Sequence, residues 1–232
     1  MATLHVLRVF CDEAGEHGNP LGVFLEGGEV PPAERQSVAH ELGFSETVFV
    51  DDRARGEIQI FTPALELPFA GHPTVGTAWL LASKGEAVEA LRPPAGEVAV
   101  RRRAGGERTF VAARAEWSPP WELIELGSAA EVDALDGSPG GREDEIYLWA
   151  WADEETGVVR SRCFSLADGV GEDEATGSAA LMLTAALRRP LTIRQGRGSV
   201  LYAHPLSDGR AEVGGRVVLD ETRELDLASA VP

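Results

Sequence analysis

Two stretches of this 232-residue chain resemble each other. Residues 68–78 read Pro68-Phe69-Ala70-Gly71-His72-Pro73-Thr74-Val75-Gly76-Thr77-Ala78, and residues 169–179 read Gly169-Val170-Gly171-Glu172-Asp173-Glu174-Ala175-Thr176-Gly177-Ser178-Ala179. Laid over each other at an offset of 101 residues, Gly76-Thr77-Ala78 falls on Gly177-Ser178-Ala179 and His72 falls on Asp173. Each stretch is a glycine-bearing loop with a polar side chain, and each runs into an apolar helical segment. The offset is too long for a solenoid repeat, whose period is roughly 20–50 residues. It points instead to two similar halves, each supplying one helix N-terminus. Such a terminus offers backbone N–H groups without intrahelical partners and the positive end of a dipole, both suited to a carboxylate. The repeat therefore predicts a cleft for a small anion, with His72 and Asp173 inside it.

Composition narrows the classes. With 44% hydrophobic residues, the chain can bury a sizeable core in one large domain or in two lobes of about 100 residues each. A net charge of −17 repels phosphate backbones and anionic membranes, which argues against nucleic-acid and membrane partners. No segment reaches the roughly 20 apolar residues of a membrane span. The N-terminus has strand-like alternation without the basic region of a signal peptide, so a cytoplasmic location is expected. Two cysteines, Cys11 and Cys163, make no disulfide framework, and both read as small buried residues. Lys84 is the only lysine, and it sits at a predicted helix C-terminus before Gly85, badly placed for Schiff-base chemistry.

Along the chain, residues 4–10 and 21–25 read as strands, flanking a glycine-rich loop. Pro31-Pro32 is expected to open a helix that stops at Gly43. Residues 44–50 begin as a loop and become a strand, and another strand follows over 58–61. A loop over 62–73 leads to an apolar helix from about Thr74 to Ser83. Residues 98–103 and 109–113 read as a hairpin around Gly105-Gly106. Trp117-Ser118-Pro119-Pro120-Trp121 reads as a connecting passage whose tryptophans serve packing. Strands are expected over 146–152 and 158–164, with a polar loop over 138–145. A second apolar helix spans about 176–188, and strands over 191–194, 199–203 and 211–219 complete the chain. Many short strands with one apolar helix per half fit an α+β fold, a sheet wrapped around a central helix twice over.

Five side chains are candidates for chemistry. Glu46 lies between Phe44 and Val48-Phe49-Val50. A carboxylate in an apolar pocket holds its proton to higher pH and becomes an acid/base, although spacing alone favours a solvent-facing strand charge. His72 follows Gly71 and precedes Pro73, where it either binds a ligand or only ends the loop. Asp173 is explained equally by the preference of acidic residues for a first helical turn. Thr176 or Ser178 can cap the second helix, and Ser178 can instead donate to a ligand. Asn19, the only asparagine, occupies Gly18-Asn19-Pro20, either a plain turn or part of the cleft. The five histidines show no metal-type spacing, and no nucleophile elbow, phosphate loop or dinucleotide fingerprint appears. No metal or cofactor is expected.

The segments Gly18-Asn19-Pro20-Leu21, Phe44-Ser45-Glu46-Thr47-Val48-Phe49, Phe61-Thr62-Pro63, Glu66 to Thr74, Glu172-Asp173 and Ala175 to Ala179 together resemble the phenazine-biosynthesis isomerase-like (PhzF-like) family, in family order over nearly the whole chain. The resemblance implies a diaminopimelate-epimerase-type fold of two pseudo-symmetric lobes. Each lobe is a barrel-like, mostly antiparallel sheet around a central helix, with the site between them. For this chain that means lobes at 1–100 and 101–232, with the last strand packing back on the first lobe. It also implies a cofactor-free isomerase acting on a small carboxylate, commonly a homodimer. Carried over by motif, Glu46 moves the proton, with His72 and Asp173 as further catalytic residues. Asn19, Gly71, Gly177 and Ser178 bind substrate. Cousins that epimerise amino acids use paired thiols at the helix N-termini. Here those places hold His72-Pro73 and Asp173-Glu174, which disfavours a two-thiol racemase. Glu174 replaces the family's usual proline, and the second half is short. A non-catalytic binding protein of the same fold is the alternative.

Overall fold

The computed structural model describes residues 1–102, 108–139, 145–165 and 171–227. In chain order the elements are β1 (Ala2–Cys11), β2 (Asn19–Phe24), α1 (Arg35–Leu42), β3 (Glu46–Asp52), β4 (Glu57–Phe61), β5 (Glu66–Leu67) and α2 (Gly71–Ser83). Next come β6 (Ala90–Leu91), β7 (Val98–Arg102), β8 (Thr109–Ala113), β9 (Glu122–Glu125), α3 (Ala129–Asp133), β10 (Ile146–Asp153) and β11 (Val158–Ser165). The last are β12 (Gly171–Asp173), α4 (Gly177–Leu187), β13 (Leu191–Gln195), β14 (Ser199–Pro205) and β15 (Ala211–Leu225). This is the expected α+β class: a mixed sheet with few helices.

One strand ties the sheet together. The first part of β15, Ala211–Gly215, pairs with β8, and residues 211–214 also pair with β14. The rest of β15 turns to β1, from Arg216 opposite Cys11 to Leu225 opposite Ala2. From β1 the sheet continues through β2, β3 and β4. From β8 it continues through β7 to β6. Beside β6, Arg92 N–H donates to Gly56 O, and Ile58 N–H donates to Arg92 O. That closure brings β6 back to β4 and completes a ring of eight strands. The β7–β8 hairpin crosses residue 100 and packs on α2.

Helix α2 lies against β1, β2, β3, β8 and β15. Every one of its residues from Gly71 to Ala78 is buried, as are Leu80 and Leu81. A helix apolar on all sides is stable only when surrounded, and the strand ring surrounds it. Gly76 is required by that fit: a Cβ there would stand 2.5 Å from Leu21 Cδ2 and 2.8 Å from Val9 Cγ2. Helix α4 packs against β14, β15 and the turn at Ala115–Trp117. Its residues Gly177 to Leu181 are buried, with Leu183 and Thr184. One continuous core joins the two helices, from Leu7, Val75 and Leu81 to Ala179, Leu183 and Leu201.

Several boundaries differ from those expected. Helix α2 begins at Gly71, three residues before Thr74, because Pro73 falls in the first turn, where its missing N–H has no intrahelical partner to lose. Helix α1 begins at Arg35 rather than at Pro31-Pro32, though it does end at Gly43 in the left-handed region (φ 65°). The helix starts are thus 106 residues apart (177 − 71), so the overlay that set Gly76 on Gly177 is corrected: Gly71 is the counterpart of Gly177. Strand β15 runs six residues past Leu219. Gly105-Gly106, Gly169-Val170 and residues 140–144 of the polar loop lie outside the described residues.

Candidate active site

The N-termini of α2 and α4 meet head to head. A Cβ on Gly71 would stand 2.7 Å from Gly177 Cα and C, and one on Gly177 would stand 2.9 Å from Gly71 Cα. Backbone contact this close excludes any side chain at either position. Neither helix is capped by a side chain: the N-cap residues Ala70 and Thr176 make no capping hydrogen bond. Of the two possible caps, Thr176 makes none; its hydroxyl donates to Asp173 instead.

Around this junction lies a small cavity of about 20 Å³, room for about one water molecule. Glu46, His72, Asp173 and Ser178 line it with Gly71 and Gly177, so the spacing-based candidates converge. The start of β3 brings in Glu46, paired in register with Leu21 of β2. Its side chain is 12% exposed, not the solvent-facing charge that spacing favoured. Thr62, Leu67, Phe69, Ala70, Pro119, Trp121, Ser165 and Thr176 complete the described wall.

His72 Nε2 and Glu46 Oε2 face each other at 3.3 Å, within ion-pair reach but not aligned as a hydrogen bond. Burial pushes the His72 pKa down to about 3, against a smaller opposing effect of its hydrogen bond to Pro20 O. The imidazole is therefore neutral at physiological pH. On the other side of the ring, Nδ1 lies 3.4 Å from Asn19 Nδ2.

Asn19 is fully buried and links the groups. Its Nδ2 donates to Asp173 Oδ1 (2.6 Å) and to Ala175 O (3.1 Å), while its Oδ1 accepts from Ser45 Oγ (2.9 Å). It belongs to the cleft as well as to the turn. Asp173 is held from both sides, since its Oδ2 accepts from Thr176 Oγ1 at 2.6 Å. Gln195 locks this loop by donating to Asp173 O (2.9 Å) and Thr176 Oγ1 (2.8 Å) and accepting from Thr176 N–H (3.1 Å). Burial raises the Asp173 pKa; the hydrogen bonds from Thr176, Asn19 and Ser45 oppose that, and the Glu174 charge adds to it.

Glu174, in place of proline, faces away from the cavity. Its carboxylate accepts from Arg197 N–H (2.9 and 3.1 Å) and from Ser199 Oγ (3.0 Å), fastening the turn between β13 and β14. Both cysteines are buried and neither lines the described cavity. Burial pushes the Cys11 thiol up to about 11 and raises that of Cys163.

Trp121, Thr176 and Gln195 are site residues that the sequence reading missed. Trp121 Nε1–H donates to Ser178 Oγ at 3.0 Å. A tryptophan between prolines and a polar strand carries no periodic signal; only the meeting of residues 57 positions apart reveals it. Among the described residues, no helix is long and apolar enough to cross a membrane.

Comparison with known proteins identifies the family. The family model for phenazine biosynthesis-like protein matches residues 7–150. A trans-2,3-dihydro-3-hydroxyanthranilate isomerase from Pseudomonas fluorescens is 34% identical over 250 aligned positions, covering 86% of this chain and 88% of that protein. The structure of a predicted epimerase from Pseudomonas aeruginosa superposes with a TM-score of 0.78 at 24% identity, covering 97% of this chain and 99% of the other. A probable proline racemase from Agrobacterium radiobacter shares the fold at a TM-score of 0.67 and 11% identity, covering 98% and 93% of the two chains. The chain belongs to the phenazine biosynthesis-like protein family and is an isomerase.

Proposed function

We propose that this isomerase moves a proton between carbons of a small carboxylate-bearing molecule, without a cofactor, using Glu46 as the acid/base. The observation that carries this reading is the Glu46–His72 contact at 3.3 Å in the same cavity as Asp173. A neutral imidazole facing a carboxyl group accommodates one proton between them. As a carboxylate, Glu46 takes a proton from a substrate carbon; the C–H bond breaks and its electron pair delocalises into the substrate. The Glu46 acid, after exchange with solvent, then delivers a proton to another carbon of the same anion, so no oxidant or reductant is needed. Asn19 and Asp173 orient His72 and the substrate's polar groups. The uncapped helix ends and Ser178 receive the substrate carboxylate, whose negative charge their dipoles favour. The net charge of −17 belongs to the whole surface, whereas the two helix N-termini offer a substrate carboxylate free N–H groups and the positive ends of their dipoles. We place the site between the N-terminal lobe expected at 1–100, which β8 and β15 join to complete the ring around α2, and the remainder of the chain around α4.

The relative from Pseudomonas fluorescens supplies a concrete candidate, trans-2,3-dihydro-3-hydroxyanthranilate. Incubation with it in D₂O, followed by NMR, is the test. Deuterium uptake at carbon by the wild type, with kcat falling about 10²–10⁴-fold in Glu46→Gln, is expected. Binding of the substrate should survive that change. A Glu46→Gln enzyme that still turns over rules out the assigned role.

A further inference from the structure

We infer that Trp121 is a positioning residue for the ligand: its indole N–H occupies a lone pair of Ser178 Oγ and so turns the serine's own proton into the cavity, toward an acceptor oxygen of the ligand. This inference rests on the reading of the cavity as a carboxylate site.

A serine hydroxyl has one proton and two lone pairs, and an indole N–H only donates. With Trp121 donating at 3.0 Å, Ser178 cannot return its proton to the same partner. Among the described residues Trp121 is the one hydrogen-bond partner of Ser178 Oγ, so the hydroxyl proton is uncommitted within the protein. The group is 95% buried and stands in the cavity wall beside Gly71 and Gly177. A buried donor at such a place calls for an acceptor, and accepting from Trp121 makes the O–H a stronger donor.

The segment that carries Trp121 is built to hold it still. Ser118 Oγ donates to Ser178 O at 3.1 Å, so the segment grips one residue of α4 at two points. Between those grips, Pro119 and Pro120 stiffen the chain, and Trp121 N–H donates to Pro119 O at 2.8 Å. Trp117 rests edge-on against Phe69, their centroids 6.2 Å apart, and Phe69 is itself a wall of the cavity. The polar wall of Glu46, His72 and Asp173 also lines the cavity.

Anthranilate (2-aminobenzoate) is a stable probe of the ring carboxylates expected here, and calorimetry with four proteins tests the inference. Trp121→Phe keeps the ring and loses the N–H; its affinity should fall about three- to tenfold. Ser178→Ala should fall at least as far, and the double variant no further than Ser178→Ala alone. Losses that multiply in the double variant, or a Trp121→Phe protein that binds like the wild type, overturn the role of Trp121. A second measurement needs no variant. The Trp121 Nε1–H resonance of ¹⁵N-labelled wild-type protein should shift on titration, and a resonance that stays still while anthranilate binds also overturns the inference. A wild type that does not bind anthranilate refutes the carboxylate site itself, which separates the two failures.

Discussion

A neutral histidine at the centre of a site makes stability depend on pH in a definite direction. The folded protein holds the His72 pKa down at about 3, while the unfolded chain returns it to about 6.5. Between those values the unfolded state binds a proton that the folded state refuses, so stability falls as pH drops below about 6.5. The slope for one such group approaches about 1.4 kcal/mol per pH unit. His5, also lowered chiefly by burial, adds to it with the same sign. Asp173 acts oppositely: its raised pKa means a cost to the folded state at neutral pH, relieved as the carboxylate protonates. Urea midpoints taken from pH 7 to pH 5 should decline in the wild type and decline less in His72→Gln. An unchanged slope in that variant would assign the effect elsewhere. At this scale the sequence was legible where chemistry recurs in motifs, as at Glu46, His72, Asp173 and Ser178. It was silent on Gln195, whose amide acts only because β13 passes beside the β12–α4 loop. It left the Thr176 hydroxyl open as one of two possible caps, because a cap and an Asp173 partner look alike in one dimension.

At the scale of elements, the contact between α2 and α4 is the tightest constraint. Gly71→Ala must push the two helix ends apart, since the new methyl would meet Gly177 backbone at 2.7 Å and no flexible side chain is there to move. Overpacking of this kind costs about 1–3 kcal/mol. Denaturant unfolding should show that loss, and anthranilate affinity should fall in the same variant as the anion cradle widens. Full stability in Gly71→Ala would mean that the junction tolerates separation. The glycines were readable as close-approach positions, but not what they approach. The internal Gly76 even misled the overlay, because it serves β1 and β2 rather than α4. Strong apolar segments such as α2 and α4 announced themselves. Two- and three-residue strands such as β5, β6 and β12 did not, because pairing alone defines them.

For the whole molecule, β15 is shared by the ring around α2 and the strands beside α4, and the core is continuous between them. Neither half can lose its structure without exposing the other. The prediction is one cooperative transition: tryptophan fluorescence, drawn from Trp79 in α2 and from Trp117, Trp121, Trp149 and Trp151, should coincide with far-UV circular dichroism, which reports all strands. Separated midpoints would show that the halves unfold independently. The extension of β15 through Asp220-Glu221-Thr222-Arg223-Glu224-Leu225 was hidden because these residues are polar and carry no alternation. Their strand conformation is imposed by β1, 223 residues away at its far end (225 − 2). That separation has a consequence for biosynthesis. As the chain emerges from the ribosome, β1 can pair with β2 at once, yet its other edge stays open until nearly everything else has been translated. An exposed edge of Val6, Leu7 and Val9 is a template for unwanted pairing. The order of synthesis thus leaves the earliest strand waiting for the latest, and a pause in translation before β15 would be the moment at which this protein is most prone to aggregate.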